Sequence, residues 1–89
     1  MLSILSVFGY KIYFWTNENN EPVHVHVCKG KPSANATKIW ITQMGGVISI
    51  NSSRIPKNDL IKLEKYIEAN AQYICQRWFN YFGYLTYYC

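Results

Sequence analysis

Charge is scarce in this chain, and acidic charge scarcest of all. Of its 89 residues 16% are charged, with five Asp and Glu against nine Lys and Arg, a formal net charge of +4. Together with 49% hydrophobic residues, this excludes a disordered tail, whose composition is the reverse. Nor does a +4 chain have the dense positive face of a dedicated nucleic-acid binder. No run reaches the roughly 18 apolar residues that a membrane-spanning helix needs. The three cysteines, Cys28, Cys75 and Cys89, are odd in number and lack C-x-x-C spacing, which argues against a disulfide scaffold and a zinc ribbon. Reduced thiols in a cytoplasmic protein are the simplest reading. A glycine-rich phosphate loop, paired carboxylates and a Ser/His/Asp set are also missing. Cys28 and His26 are the nearest approach to a nucleophile and base, and no catalytic residue is assigned. The apolar start, Met1 to Phe8, lacks the basic n-region and cleavage site of a secretory leader, so it is expected to belong to the fold.

Aromatics, by contrast, are abundant: three Trp, eight Tyr and four Phe. Tyr10-Lys11-Ile12-Tyr13-Phe14-Trp15-Thr16 reads as a strand, stopped by the polar cluster Asn17 to Pro22. Val23-His24-Val25-His26-Val27-Cys28 alternates with period two, the clearest strand signal in the chain. Ala36 to Thr42 and Val47 to Asn51 predict two more strands. Pro56 suits the first turn of a helix. Leu60, Leu63, Ile67, Ala71, Ile74 and Trp78 then form one apolar stripe at steps of three and four, ending at Gly83. The chain predicts one α+β domain over residues 1–89. A four-stranded antiparallel β-meander (about 9–51) is followed by a long C-terminal helix packed on one face, or by two helices broken at Asn70 (about 57–82). An aromatic tail (83–89) closes it.

One helical layer covers one sheet face, and alternation assigns the faces. Tyr10, Ile12, Phe14, Val23, Val25, Val27, Ile39, Ile41, Ile48 and Ile50 should meet the helix. Lys11, Tyr13, Trp15, His24, His26, Cys28, Lys38, Trp40, Thr42, Ser49 and Asn51 should form the opposite face. Monomers seldom leave such a patch idle. The leading use is docking of a protein partner or self-association through Lys11, Tyr13, Trp15, His24, His26, Lys38 and Trp40, since aromatics dominate interfaces. The blander possibility is that Tyr13, Trp15 and Trp40 pack under the C-terminal tail or another subunit. An alternative is a nucleic-acid platform of stacked rings and lysines. A second alternative is a zinc or other transition-metal site from His24, His26 and Cys28, which point the same way on one strand. Their spacing of about 6.5–7 Å between alternate residues is long for one ion, and otherwise no cofactor is expected. Neither a membrane nor a small-molecule substrate is expected as a partner.

The stretch Asn17-Glu18-Asn19-Asn20-Glu21-Pro22-Val23-His24-Val25-His26-Val27 resembles a small bacterial domain-of-unknown-function family. That family has an aromatic strand, an Asn-rich turn, Pro and an H-x-H-V strand. Its later landmarks are matched by Lys38-Ile39-Trp40-Ile41, Asp59-Leu60, Asn70 and Trp78 to Gly83, so the resemblance spans about residues 4–83. Many members carry a further His where this chain has Asn19 and Val23, and acidic residues where it has Cys28 and Lys29. The resemblance implies a compact α+β protein without assigned catalytic residues. It also implies a setting of mobile-element genes paired with another short gene, and so a toxin–antitoxin-like role.

Overall fold

The computed structural model describes residues 2–17 and 20–89. Met1, and Glu18 and Asn19 of the Asn-rich turn, lie outside the described residues. Five strands form one antiparallel meander in the order β1-β2-β3-β4-β5. They are β1 (Leu2–Val7), β2 (Tyr10–Phe14), β3 (His24–Cys28), β4 (Thr37–Ile41) and β5 (Val47–Ile50), followed by helices α1 (Lys57–Ala69) and α2 (Ala71–Phe82).

The expectation of four strands is corrected by β1. Its pattern escapes a period-two reading because the pairing with β2 shifts between Ser3 and Leu5. A bulge of this kind places two residues opposite one and breaks the alternation. Phe8 and Gly9 link β1 to β2, with φ of 54° and 81°. Two successive left-handed residues match the twist of a two-residue hairpin.

The helix does break at Asn70. A straight helix over residues 57–82 would run about 39 Å at 1.5 Å per residue, whereas the longest dimension of the chain is 33 Å. At Asn70 the side-chain amide and the backbone N–H both donate to the Tyr66 carbonyl, at 2.8 and 3.1 Å. A side chain competing for the helical ladder is a recognised cause of bending. Gly83 ends α2 in the left-handed conformation, φ 79°, which a residue without Cβ adopts without strain.

The core between the layers contains Ile12, Phe14, Val25, Val27, Ile39 and Ile41 from the sheet, and Leu63, Ile67, Ile74 and Trp78 from the helices. Strand β5 departs from expectation. Ile41 pairs with Val47 and Ile39 with Ser49, whereas Trp40 pairs with Ile48 and Lys38 with Ile50. Ile48 and Ile50 therefore share the outer face with Trp40, and Ser49 faces the helices, where its hydroxyl donates to Glu64 at 2.7 Å. A one-residue change of phase turns every side chain over.

Beyond α2 the tail returns across one end of the sheet. The Val23 N–H donates to the Thr86 carbonyl at 2.8 Å, and the Gln43 N–H to the Cys89 carbonyl at 3.1 Å. The tail thus ties the start of β3 to the end of β4.

Candidate functional site

The outer face is organised in cross-strand rows. Tyr13 lies opposite His26, His26 opposite Lys38, and Lys38 opposite Ile50. Beside that row, His24 lies opposite Trp40, and Trp40 opposite Ile48. Opposed side chains on one face interact directly, so each row is a continuous strip from β2 or β3 to the β5 edge.

Exposure changes along the strip. Tyr13 is fully buried, Ile50 is 51% exposed, and His26 and Lys38 lie between them. The closed end is a second small core of Tyr13, Cys28 and Ala36, with Trp15 packed against it. Tyr13 stacks on His26 at 5.5 Å between centroids, and meets the Trp15 ring edge-on at 5.4 Å. His26 meets His24 edge-on at 5.0 Å.

His24 corrects the expectation of an accessible imidazole, because it is wholly buried. The ladder between β2 and β3 ends at Tyr13–His26, and His24 sits just past that point. Its ring touches Trp78 of α2 at 5.2 Å, and its Nδ1 lies 2.8 Å from the Pro22 carbonyl. This imidazole is a packing element joining the sheet to the helical layer. The Trp78 indole Nε1–H is buried without a hydrogen-bond partner among the described residues, so Trp78 acts by its area and ring contacts.

The expected metal group of His24, His26 and Cys28 is brought together only in part, as the two imidazoles 5.0 Å apart. Cys28 ends the strand about 13 Å from His24, at 3.3 Å per residue, and its thiol reaches the Gly30 carbonyl at 3.8 Å. Among the described residues no group of three His, Cys, Asp or Glu is placed to hold a metal ion.

Trp40 is also covered. Tyr88 of the tail stacks on it at 4.7 Å and 22°, and the Lys38 ammonium lies 4.8 Å from its ring centroid. Lys38 is held as well by Glu21, at 3.3 Å. The possibility that the tail covers part of this aromatic set thus applies to Trp40. Its cover, Tyr88, is itself 58% exposed. Lys11 remains exposed, and Trp15 is half-buried.

The open part of the face is therefore its β5 half: Lys38, Ile48, Ile50 and the outer side of Tyr88. Sequence reasoning missed Ile48 and Ile50 because Val47-Ile48-Ser49-Ile50 is apolar in either phase except at Ser49. The small polar residue points to the wrong phase: taken as outward-facing it sends Ile48 and Ile50 to the core, whereas in the fold it meets Glu64 of α1.

These features define a small α+β module of a five-stranded meander backed by two helices, with a mixed aromatic and aliphatic face turned away from the helices. Residues 9–79 match the family described as domain of unknown function (DUF4160), and the chain belongs to that family. The match takes in β2 to β5, α1 and most of α2, and leaves out β1 and the tail. No curated protein and no solved structure matches the chain. No helix among the described residues is long and apolar enough to cross a membrane.

Proposed function

We propose that this is a protein-interaction module, and that it receives a strand from a second copy of itself along β5. The carrying observation is the β5 edge. It is the last strand of the sheet, with no Pro or Lys among Val47–Ile50, and it places Ile48 and Ile50 on the open half of the outer face. An edge strand lacking such guards is a template for another strand. Antiparallel pairing of two β5 strands about a two-fold axis would join the sheets and set the Ile50 and Tyr88 surfaces of the two copies side by side.

Lys38 belongs to this surface and Trp40 supports Tyr88 there, with His26 beside Lys38 on β3; Lys11, Tyr13 and Trp15 stand on the far, β2 side of the same face, and His24 packs against Trp78. A nucleic-acid platform is less favoured because Lys38 is already engaged by Glu21 and Trp40. The toxin–antitoxin-like, mobile-element setting and the cytoplasmic location belong to the same proposal, as the setting in which a small module acts through its contacts.

Sedimentation velocity tests the reading. The chain should be dimeric at about 100 μM or below, as an interface of roughly 800 Å² per subunit allows, and Ile50→Lys should leave a folded monomer. A chain that is monomeric throughout that range, or a dimer indifferent to Ile50→Lys, overturns it.

A further inference from the structure

At the end of the sheet away from the tail, the β3–β4 loop faces the segment leading into α1 across a cavity of about 330 Å³. Its floor is buried and mostly apolar, with Cys28 and Ile55 among its residues. Its rim carries the exposed Lys29, Lys31 and Arg54, three of the chain's nine cations. One carboxylate, Asp59, lies in the same cavity, and it accepts a hydrogen bond from the Tyr10 hydroxyl at 2.8 Å. Asp59 therefore has a donor of its own, and the rim keeps a surplus of two positive charges. Ser33 adds a hydroxyl to the lining, while the Ser53 hydroxyl donates to Thr37 at 2.7 Å.

Two parts of the rim are held in place, Lys29 and the backbone that carries Arg54. The Lys29 ammonium lies 5.7 Å from the Tyr10 ring centroid. The loop before α1 is clamped by Asn51, whose Oδ1 accepts from the Ile55 N–H and the Thr37 hydroxyl at 2.9 and 2.8 Å, and whose Nδ2 donates to the Ile55 carbonyl at 2.9 Å. Inside this clamp Arg54 has φ 56°, a left-handed conformation uncommon for a residue with a long side chain. The guanidinium is thus carried on a fixed loop opposite two lysines.

We infer that this cavity is a binding site for a small phosphate ester, with Arg54, Lys31 and Lys29 receiving the phosphate group. A guanidinium matches two phosphate oxygens at once, and ammonium groups act as point charges beside it. The volume is at the lower end for small-molecule sites, so the ligand is of mononucleotide size or smaller. This site lies in the turn beyond the C-terminal end of β5, and the inference does not rest on the dimer reading.

The test is a titration of the intact 15N-labelled chain, followed at the amides of Lys29, Gly30, Lys31 and Ser33 and of Ser53, Arg54, Ile55 and Lys57. The probes are inorganic phosphate, a nucleoside 5′-monophosphate and the corresponding nucleoside. Phosphate and the monophosphate should saturate below about ten millimolar, and the nucleoside should not bind. A tighter monophosphate locates the ester moiety in the cavity; equal affinities assign the site to the phosphate group alone. Arg54→Asn, which tolerates the left-handed backbone, should weaken binding by about tenfold or more, with Arg54→Lys between. Lys65→Gln, which removes a cation outside the cavity, should change nothing. The inference is overturned by an absence of saturation, by a nucleoside that binds as well as its monophosphate, by indifference to Arg54→Asn, or by equal weakening from Lys65→Gln.

Discussion

The two faces of the sheet are made from the same alternating strands and end in different states. On the helix side, Ile12, Val25, Val27 and Ile39 are fully buried against Leu63, Ile67, Ile74 and Trp78. On the other side, burial is complete at Tyr13 and falls away to Ile50. The first face is sealed by a separate layer, the second by short pieces of the same chain: Ala36 beside Tyr13, and Tyr88 over Trp40. Alternation tells which residues share a face. It does not tell how much of that face the loops and tail will cover.

If the helix face is the main core, truncating its largest side chain gives the largest loss. Trp78→Ala should destabilise the fold by about 3–5 kcal/mol in urea unfolding, through lost area and an unfilled cavity. The second core is tested next. Tyr13→Ala should cost about 2–4 kcal/mol if Tyr13 is truly interior; a cost typical of a surface site, within about 0.5 kcal/mol, would return that half of the face to an open surface.

A pH measurement sharpens the comparison from the helix side, where ionisable groups are buried (Tyr10) or half-buried (Cys75, Tyr87) among apolar neighbours. Burial raises Tyr10 above its ordinary 10.0, and the hydrogen bond and charge of Asp59 raise it further. Burial raises Tyr87 above 10.0 and Cys75 above 9.0, and the Cys75 thiol adds to the rise at Tyr87. Each group is held protonated by folding. Its contribution is therefore whole below the unfolded-state value and is lost as pH rises through the folded value. Stability should fall as pH climbs past 9 and 10, and Tyr10→Phe with Tyr87→Phe should flatten that fall. A stability unchanged across this alkaline range would contradict the assignment.

Smaller effects belong to the covering pieces. Tyr88→Ala should cost about 0.5–1.5 kcal/mol, the worth of one aromatic pair, and should make indole fluorescence more accessible to a soluble quencher. Ile50→Lys should change monomer stability by no more than about 0.5 kcal/mol, because its effect belongs to association.

Most of the architecture was legible because it rests on periodicity. The H-x-H-V strand, the apolar stripe from Leu60 to Trp78 and the stops at Asn70 and Gly83 each follow from local spacing. Strand β1 was hidden by its bulge, and the phase of β5 by Ser49, a polar residue turned toward the helices. The candidate site was half legible. The strips of Tyr13, His26 and Lys38, and of His24 and Trp40, follow from the pleat. The burial of His24 against Trp78 depends on where the β2–β3 ladder stops, and the covering of Trp40 depends on a tail returning from the far end of the chain. Long-range placements of this kind leave no spacing to read.

Hydrogen exchange at β5, measured across a concentration series, tests the edge most directly. Amides of Val47–Ile50 directed away from β4 should gain protection as concentration rises, while the amides of β1, at the opposite edge of the sheet, should not. Exchange in β5 that is the same at every concentration would contradict the account.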